Sequence, residues 1–268
     1  MTPRWMLSAL AGCILLFLVA PVVSVAVSSF SGGPIFVFPP SSFTLAWYAR
    51  IPPEYFRALT VSLEVGIGAT AIAIAVGVPA ALALVRGYLP FSRALNAFCL
   101  TPLMIPTLVI GVAALQFANV VYDAFKLSLL ESVFGLILAH SAFTIPFVIR
   151  AVIAGQARFD HDIEAAALSL GATPIRTFFT ITMPALAPSI ASGAILAFLV
   201  SFDDVPVALF LGGGSATTLP VQIFNGTQFD LSPAILALSA IVSGGVLVFI
   251  AISGKIFGLD KFLDAGHT

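Results

Sequence analysis

The sequence predicts an all-α polytopic membrane protein with six transmembrane helices, and three observations predict it. Hydrophobic residues make up 60% of the 268-residue chain against 9% charged, with a mean hydropathy of +1.12, a balance foreign to water-soluble domains. Six apolar runs reach the roughly 20 residues needed to cross the hydrocarbon of a bilayer. Segments rich in glycine, proline or charge separate them. The expected spans are about 6–27, 60–85, 94–118, 132–154, 187–211 and 233–257, with a polar connection over about 155–186. No duplicated block stands out, so a single domain over 1–268 is expected.

The first run follows a short basic start that ends at Arg4. Small residues from Ser24 to Ser29 resemble a signal-peptide cleavage region, but the apolar run is longer than a typical signal core, which favours an uncleaved helix. Ser28 to Leu59 contains Gly32, Gly33, Pro34, Pro39, Pro40, Pro52 and Pro53, so it is not a continuous helix and belongs in water or on the membrane surface. Trp47 and Tyr48 suit the headgroup level there, and Trp5 the opposite interface. After the second span, in which Glu64 snorkels, Arg86 to Arg93 forms a tight basic turn around Gly87 and Pro90. Pro102 and Pro106 each bend the third span, either to line a path or for plain packing. Asn119 to Glu131 reads as a short outer loop, and Pro146 falls near the inner end of the fourth span.

Basic residues orient the chain. With the N-terminus inside, inner segments carry Arg4, Arg86, Arg93, Arg150, Arg158, Arg176, Lys255 and Lys261, and outer ones only Arg50, Arg57 and Lys126. The bias puts both termini and the connection over 155–186 in the cytoplasm.

That connection includes DHDIEAAALSLGATPIRTFFTITMP, Asp160 to Pro184. Asp160, Asp162 and Glu164 crowd a first helical turn, where exposed N–H groups favour negative charge. Ile163, Ala167 and Leu170 recur on one narrow apolar stripe, and Gly171 stands where a left-handed cap ends the helix. Thr173 and Pro174 then form a fresh cap and first position, so a second short helix runs from Pro174 through Phe178 and Phe179 towards Pro184.

Glu164-Ala165-Ala166, Gly171 seven positions on, and then Ile181, Met183 and Pro184 resemble the EAA loop of inner-membrane permease subunits of bacterial ABC importers, with Met183 where the family has leucine. The resemblance implies the type I ABC importer permease fold, in a bacterial inner-membrane protein. It also implies a cytoplasmic coupling helix, carried here by Glu164, Ala165, Ala166, Gly171, Ala172, Thr173, Pro174 and Arg176, that docks on an ATP-hydrolysing subunit. Ser201 to Asp204 and Thr218 to Phe224 narrow the resemblance to the spermidine/putrescine class. In that class two related permeases form the pathway, two ATPase copies drive it, and an extracytoplasmic binding protein delivers solute. Close members also move other small organic solutes, such as amino-acid derivatives or opines.

The chain's own chemistry is sparse. Gly254-Lys255 has Phe249 in place of a P-loop's first glycine and Ile256 in place of its Ser/Thr, so ATP and magnesium are expected on a partner. His140, His161 and His267 share no helix face for a metal, and His140 reads as a hydrogen-bonded packing residue or a pathway residue. Cys13 and Cys99 read as packing residues, and Asn225-Gly226-Thr227 as a chance glycosylation match. No Lys/Arg cluster suits nucleic acid.

Asp203 and Asp204 remain, placed by the predicted fifth span about 24 Å across the bilayer at 1.5 Å per residue. Intramembrane carboxylates face a cavity or a partner, so with Phe202 as a cation–π face they are candidates for the pathway of a cationic solute. A hinge or inter-subunit hydrogen bond beside Pro206 is the other reading. An ion-coupled secondary transporter would need ion-coordinating groups on broken helices and no EAA spacing, and a membrane enzyme would need a catalytic cluster.

Overall fold

The apolar runs fold as helices whose ends are set by proline and glycine as much as by hydropathy. The computed structural model describes residues 4–33, 38–87, 90–229 and 233–257; Pro34, Lys261 and His267 of the readings above lie outside them. The α-helices are α1 (Arg4–Ser28), α2 (Pro53–Val85), α3 (Ser92–Leu100), α4 (Thr107–Phe125), α5 (Val133–Gln156), α6 (His161–Ser169), α7 (Pro174–Thr177), α8 (Met183–Phe202), α9 (Pro206–Leu211), α10 (Leu219–Phe229) and α11 (Pro233–Phe257). Among the described residues, six stretches are long and apolar enough to cross a membrane: Met6–Ser28, Pro53–Val85, Thr107–Phe125, Val133–Gln156, Pro174–Phe202 and Pro233–Lys255.

Four boundaries differ from the sequence reading, each for a backbone reason. The second span starts at Pro53 rather than near residue 60, because proline's missing N–H costs nothing in the first turn of a helix. The third is broken, not kinked. Pro102 and Pro106, four residues apart, remove two hydrogen-bond donors, so α3 ends in a 3₁₀ turn over Thr101–Leu103 and Pro106 is extended (ψ 132°) before α4 begins. Cys99 therefore lies on α3, outside the crossing helix. Helix α4 then runs on to Phe125, through residues expected in the outer loop. The fifth span starts at Pro174 and stops at Phe202, leaving 203–205 as a break before α9.

The chain divides into two compact units, Met1–Phe56 with Gln222–Ala251, and Arg57–Val221 with Ile252–Thr268. In the first, α1 exposes Leu16 and Phe17, as a lipid-facing helix does. The chain beyond α1 turns back on itself through Gly32 N–H to Ser42 O (2.8 Å) and Thr44 N–H to Phe30 O (2.7 Å). Trp47 Nε1 donates to Ser31 O at 2.8 Å, and the Ser29 and Tyr48 hydroxyls pair at 2.7 Å, so both rings of the expected headgroup pair also fasten this turn.

The second unit holds the candidate sites. Its α5 lies along α8, and the approach is close because residue 193 is glycine: a Cβ there would stand 2.9 Å from both Ala151 Cβ and Val148 Cα. One core cluster joins Val148, Ile149 and Val152 of α5 with Leu186 and Ala197 of α8 and Ala81 and Leu82 of α2. A second joins Val61 and Val65 of α2 with Leu136 and Phe143 of α5 and Val207 and Leu211 of α9. Helices α2 and α5 therefore span both cores. Gly193→Val should overpack the α5–α8 contact by about 1–3 kcal/mol. A lowered melting temperature of the detergent-purified protein is the expected reading, and an unchanged one would mean the helices can separate without loss.

Candidate functional site

The EAA stretch folds as two short helices fixed by local capping. The Asp160 side chain accepts from Asp162 N–H at 2.9 Å, opening α6. At its other end Gly171 has φ +88°. Gly171 N–H donates to Leu168 O (3.0 Å) and Ala172 N–H to Ala167 O (3.1 Å), the paired bonds of a glycine-closed helix end. Thr173 Oγ1 accepts from Arg176 N–H at 3.3 Å, and Pro174 begins α7. The second helix does not end near Pro184, however. It passes through a π turn over Phe178–Thr182 directly into α8, so α7 is the first turn of the fifth span.

This arrangement leaves apolar side chains without cover. Ile163 is 50% exposed, Leu170 89% and Ile175 73%. Ala165, Ala166, Gly171, Thr173, Pro174 and Arg176 are exposed beside them, and Ala172 is half-buried.

Glu164 is turned the other way. Its Oε1 accepts from Arg86 Nη2 at 2.6 Å and from the Thr182 hydroxyl, and its Oε2 lies 3.7 Å from His161 Nδ1. Burial pushes its carboxyl upward, but the Thr182 hydroxyl and the Arg86 guanidinium outweigh that and hold it below the usual carboxylate range. The contact therefore contributes above the ordinary carboxylate pKa and is lost as pH falls through the depressed value. Sequence reasoning missed Arg86 and Thr182 as partners of Glu164; 78 residues separate Arg86 from it, and no periodicity links them.

The other candidates gather at the break after α8. Phe202, the candidate cation–π face, is buried, with its ring stacked on Phe198 at 5.6 Å. Asp204 is buried too. Its Oδ2 accepts from Val207 N–H (2.9 Å) and Ala208 N–H (3.1 Å), so it caps α9. His140, fully buried on α5, pairs through Nδ1 with Ser201 Oγ at 2.8 Å, while its Nε2 stands 3.9 Å from Asp204 Oδ2 and makes no hydrogen bond. Asp203 alone of the three is exposed. Asp204-Val205-Pro206 carries the same signal, a capping side chain just before a proline, that marks Thr173-Pro174.

Comparison with known proteins bears on the family and the fold. The family described as "Binding-protein-dependent transport system inner membrane component" matches residues 73–259. The putrescine transport system permease protein PotI of Escherichia coli is 32% identical over 240 residues, covering 88% of this chain and 85% of its own. The molybdenum transport system permease protein ModB of Mycobacterium tuberculosis is 27% identical over 263 residues, covering 94% of each. A bacterial ABC transporter involved in import of the acidic polysaccharide alginate shares the fold, with a TM-score of 0.70 at 14% identity over 94% of this chain and 95% of that one.

A Cβ at Gly171 would meet nothing within 4 Å, so only its positive φ demands glycine. Gly171→Val should cost about 1–2 kcal/mol and loosen the α6–α7 turn, whereas Gly171→Asn should be tolerated. Amide exchange is the check: faster exchange across Glu164 to Arg176 in the valine variant, with parental protection in the asparagine one. Equal protection in all three would mean that the turn does not depend on that backbone angle.

Proposed function

The chain belongs to the family of binding-protein-dependent transport system inner membrane components, and from that premise we propose that it forms half of the translocation pathway of an ATP-driven importer for a small cationic solute of the polyamine kind. The observation that carries the coupling part is the uncovered apolar face of Ile163, Leu170 and Ile175 on a segment whose backbone is held at both ends. It fits docking on an ATPase subunit, and the ATPase dimer holds ATP and its magnesium. A second, related rather than identical permease completes the pathway, and an extracytoplasmic binding protein supplies solute. Both termini and α6 lie in the cytoplasm, a placement supported by the eight-to-three bias of basic residues.

The solute reading rests on Asp203. An exposed carboxylate at a break between helices gives a passing ammonium charge-assisted hydrogen bonds and repels an anion. Similarity to a putrescine permease supports the same sign. Similarity to a molybdenum permease makes a metal oxyanion the competing solute.

Reporter fusions after Phe159 and Lys261 should read as cytoplasmic, and those after Ser41 and Gly226 as external. An external signal at Phe159 would end the coupling proposal, since no ATPase could reach α6.

The two aspartates should behave differently. Asp203→Asn should slow uptake of the native solute at equal membrane abundance. Asp204→Ala should cost about 0.5–2 kcal/mol through loss of the α9 cap. Radiolabelled uptake and thermal melting of the purified complex separate the two effects. Parental uptake by Asp203→Asn, or a native solute that proves anionic, would remove the cation reading.

A further inference from the structure

We propose that Arg86 is the positioning residue of coupling: through Glu164 it fastens α6 to the end of α2, while Thr182 fastens the same carboxylate to the fifth span, so that a push on α6 moves both spans together. The inference rests on the coupling role proposed above and adds the route by which motion leaves α6.

Three separate segments meet at one oxygen. Glu164 Oε1 takes the Arg86 Nη2 hydrogen at 2.6 Å and the hydroxyl hydrogen of Thr182. Arg86 follows the last residue of α2, held by its N–H to Leu82 O at 3.0 Å, and Gly87 with φ +70° turns the chain away immediately after it. That position at a helix C-terminus favours a cation, and the glycine stop gives the guanidinium a fixed origin. Thr182 is fully buried in the π turn, the one irregular turn between α7 and α8. Such a turn is where a helix can yield without breaking, and the carboxylate grips it there.

The pair is partly shielded, with side-chain accessibilities of 24% for Arg86 and 16% for Glu164. Removing one member therefore leaves the other charge half-buried and unmatched, unlike loss of a fully solvated surface pair. The fork of Arg86 is also only half used. Its Nε is buried with no hydrogen-bond partner, while Glu164 Oε2 faces His161 at 3.7 Å. A rotation of the carboxylate that brought Oε2 to Nε would give a two-bonded pair, so the clamp can hold through a displacement of α6 rather than snap at its start. Lysine, a single point charge, lacks that second bond.

The test is uptake per ATP hydrolysed in complete complexes, reconstituted with the ATPase and the binding protein. Arg86→Gln should assemble with the ATPase yet lower the ratio about twofold to thirtyfold, the range over which residues in a coupled network act. Arg86→Lys should recover only part of it, and Thr182→Val, close in volume, should lower it as well. A parental ratio in Arg86→Gln overturns the proposal. If that variant fails to reach the membrane, Thr182→Val decides, and a parental ratio there overturns it equally. Failure of the parent complex to hold an ATPase at all would instead overturn the coupling role itself, before any clamp variant is read.

Discussion

The arrangement of the second unit turns on where one carboxylate can sit. Glu164 is the only ionised group of α6 that faces inward, and it does so because a guanidinium and a buried hydroxyl wait for it. An inward carboxylate without them would give up part of its hydration with nothing in exchange. With them, the side chain sets the rotation of α6 about its own axis. Once Glu164 faces the spans, Ile163 and Leu170 on the remaining surface are left to solvent. The exposed apolar face and the partly shielded ion contact are thus two consequences of one rotation.

The α5–α8 pair supplies the stiffness that the coupled movement proposed above would need. Gly193 lets the two backbones approach until side chains of both helices share one cluster with α2. Dense packing of this kind transmits displacement instead of absorbing it. The helix stops at Phe202, with Ser201 on His140 just before the stop and Asp204 on the N–H groups of α9 just after it, and Val207 and Leu211 of α9 then pack into the second core. Packed cores therefore flank the break, and at residues 203–205 polar contacts replace them.

Most of the fold was legible because long apolar runs leave helices as the only economical solution in a membrane. The caps of α6 and α7 were legible for the same local reason: Asp160, Gly171, Thr173 and Pro174 act within five residues of themselves. What was not legible divides into two kinds. Hydropathy continues straight through Asp203 to Leu211 and masks the signal of Asp204 and Pro206, so the sequence places both aspartates within the outer half of a continuous span, with a hinge beside Pro206 as the other reading. The spacing of Pro102 and Pro106 was likewise read as bending where two missing donors in succession end the helix. Contacts between distant segments are a different matter. Nothing local marks Arg86 as the partner of Glu164, or Ser201 as that of His140, because each pairing exists only after the spans have packed.

Two adjacent aspartates end in opposite settings, and this bears on the cation reading proposed above. One Asp204 oxygen is committed to two backbone N–H groups, and the side chain is buried, so its charge serves the start of α9 and is largely withdrawn from a solute. Asp203 keeps its side chain in the open. A single exposed carboxylate discriminates by sign yet binds weakly, which suits a path that must also release what it passes. Proteins of this fold are named for cargoes as different as putrescine, molybdenum and alginate, so the fold itself is neutral towards the solute. On the cation reading proposed above, selection of sign within such a frame falls to the few polar groups that packing has left uncommitted, and Asp203 is the group proposed at this break.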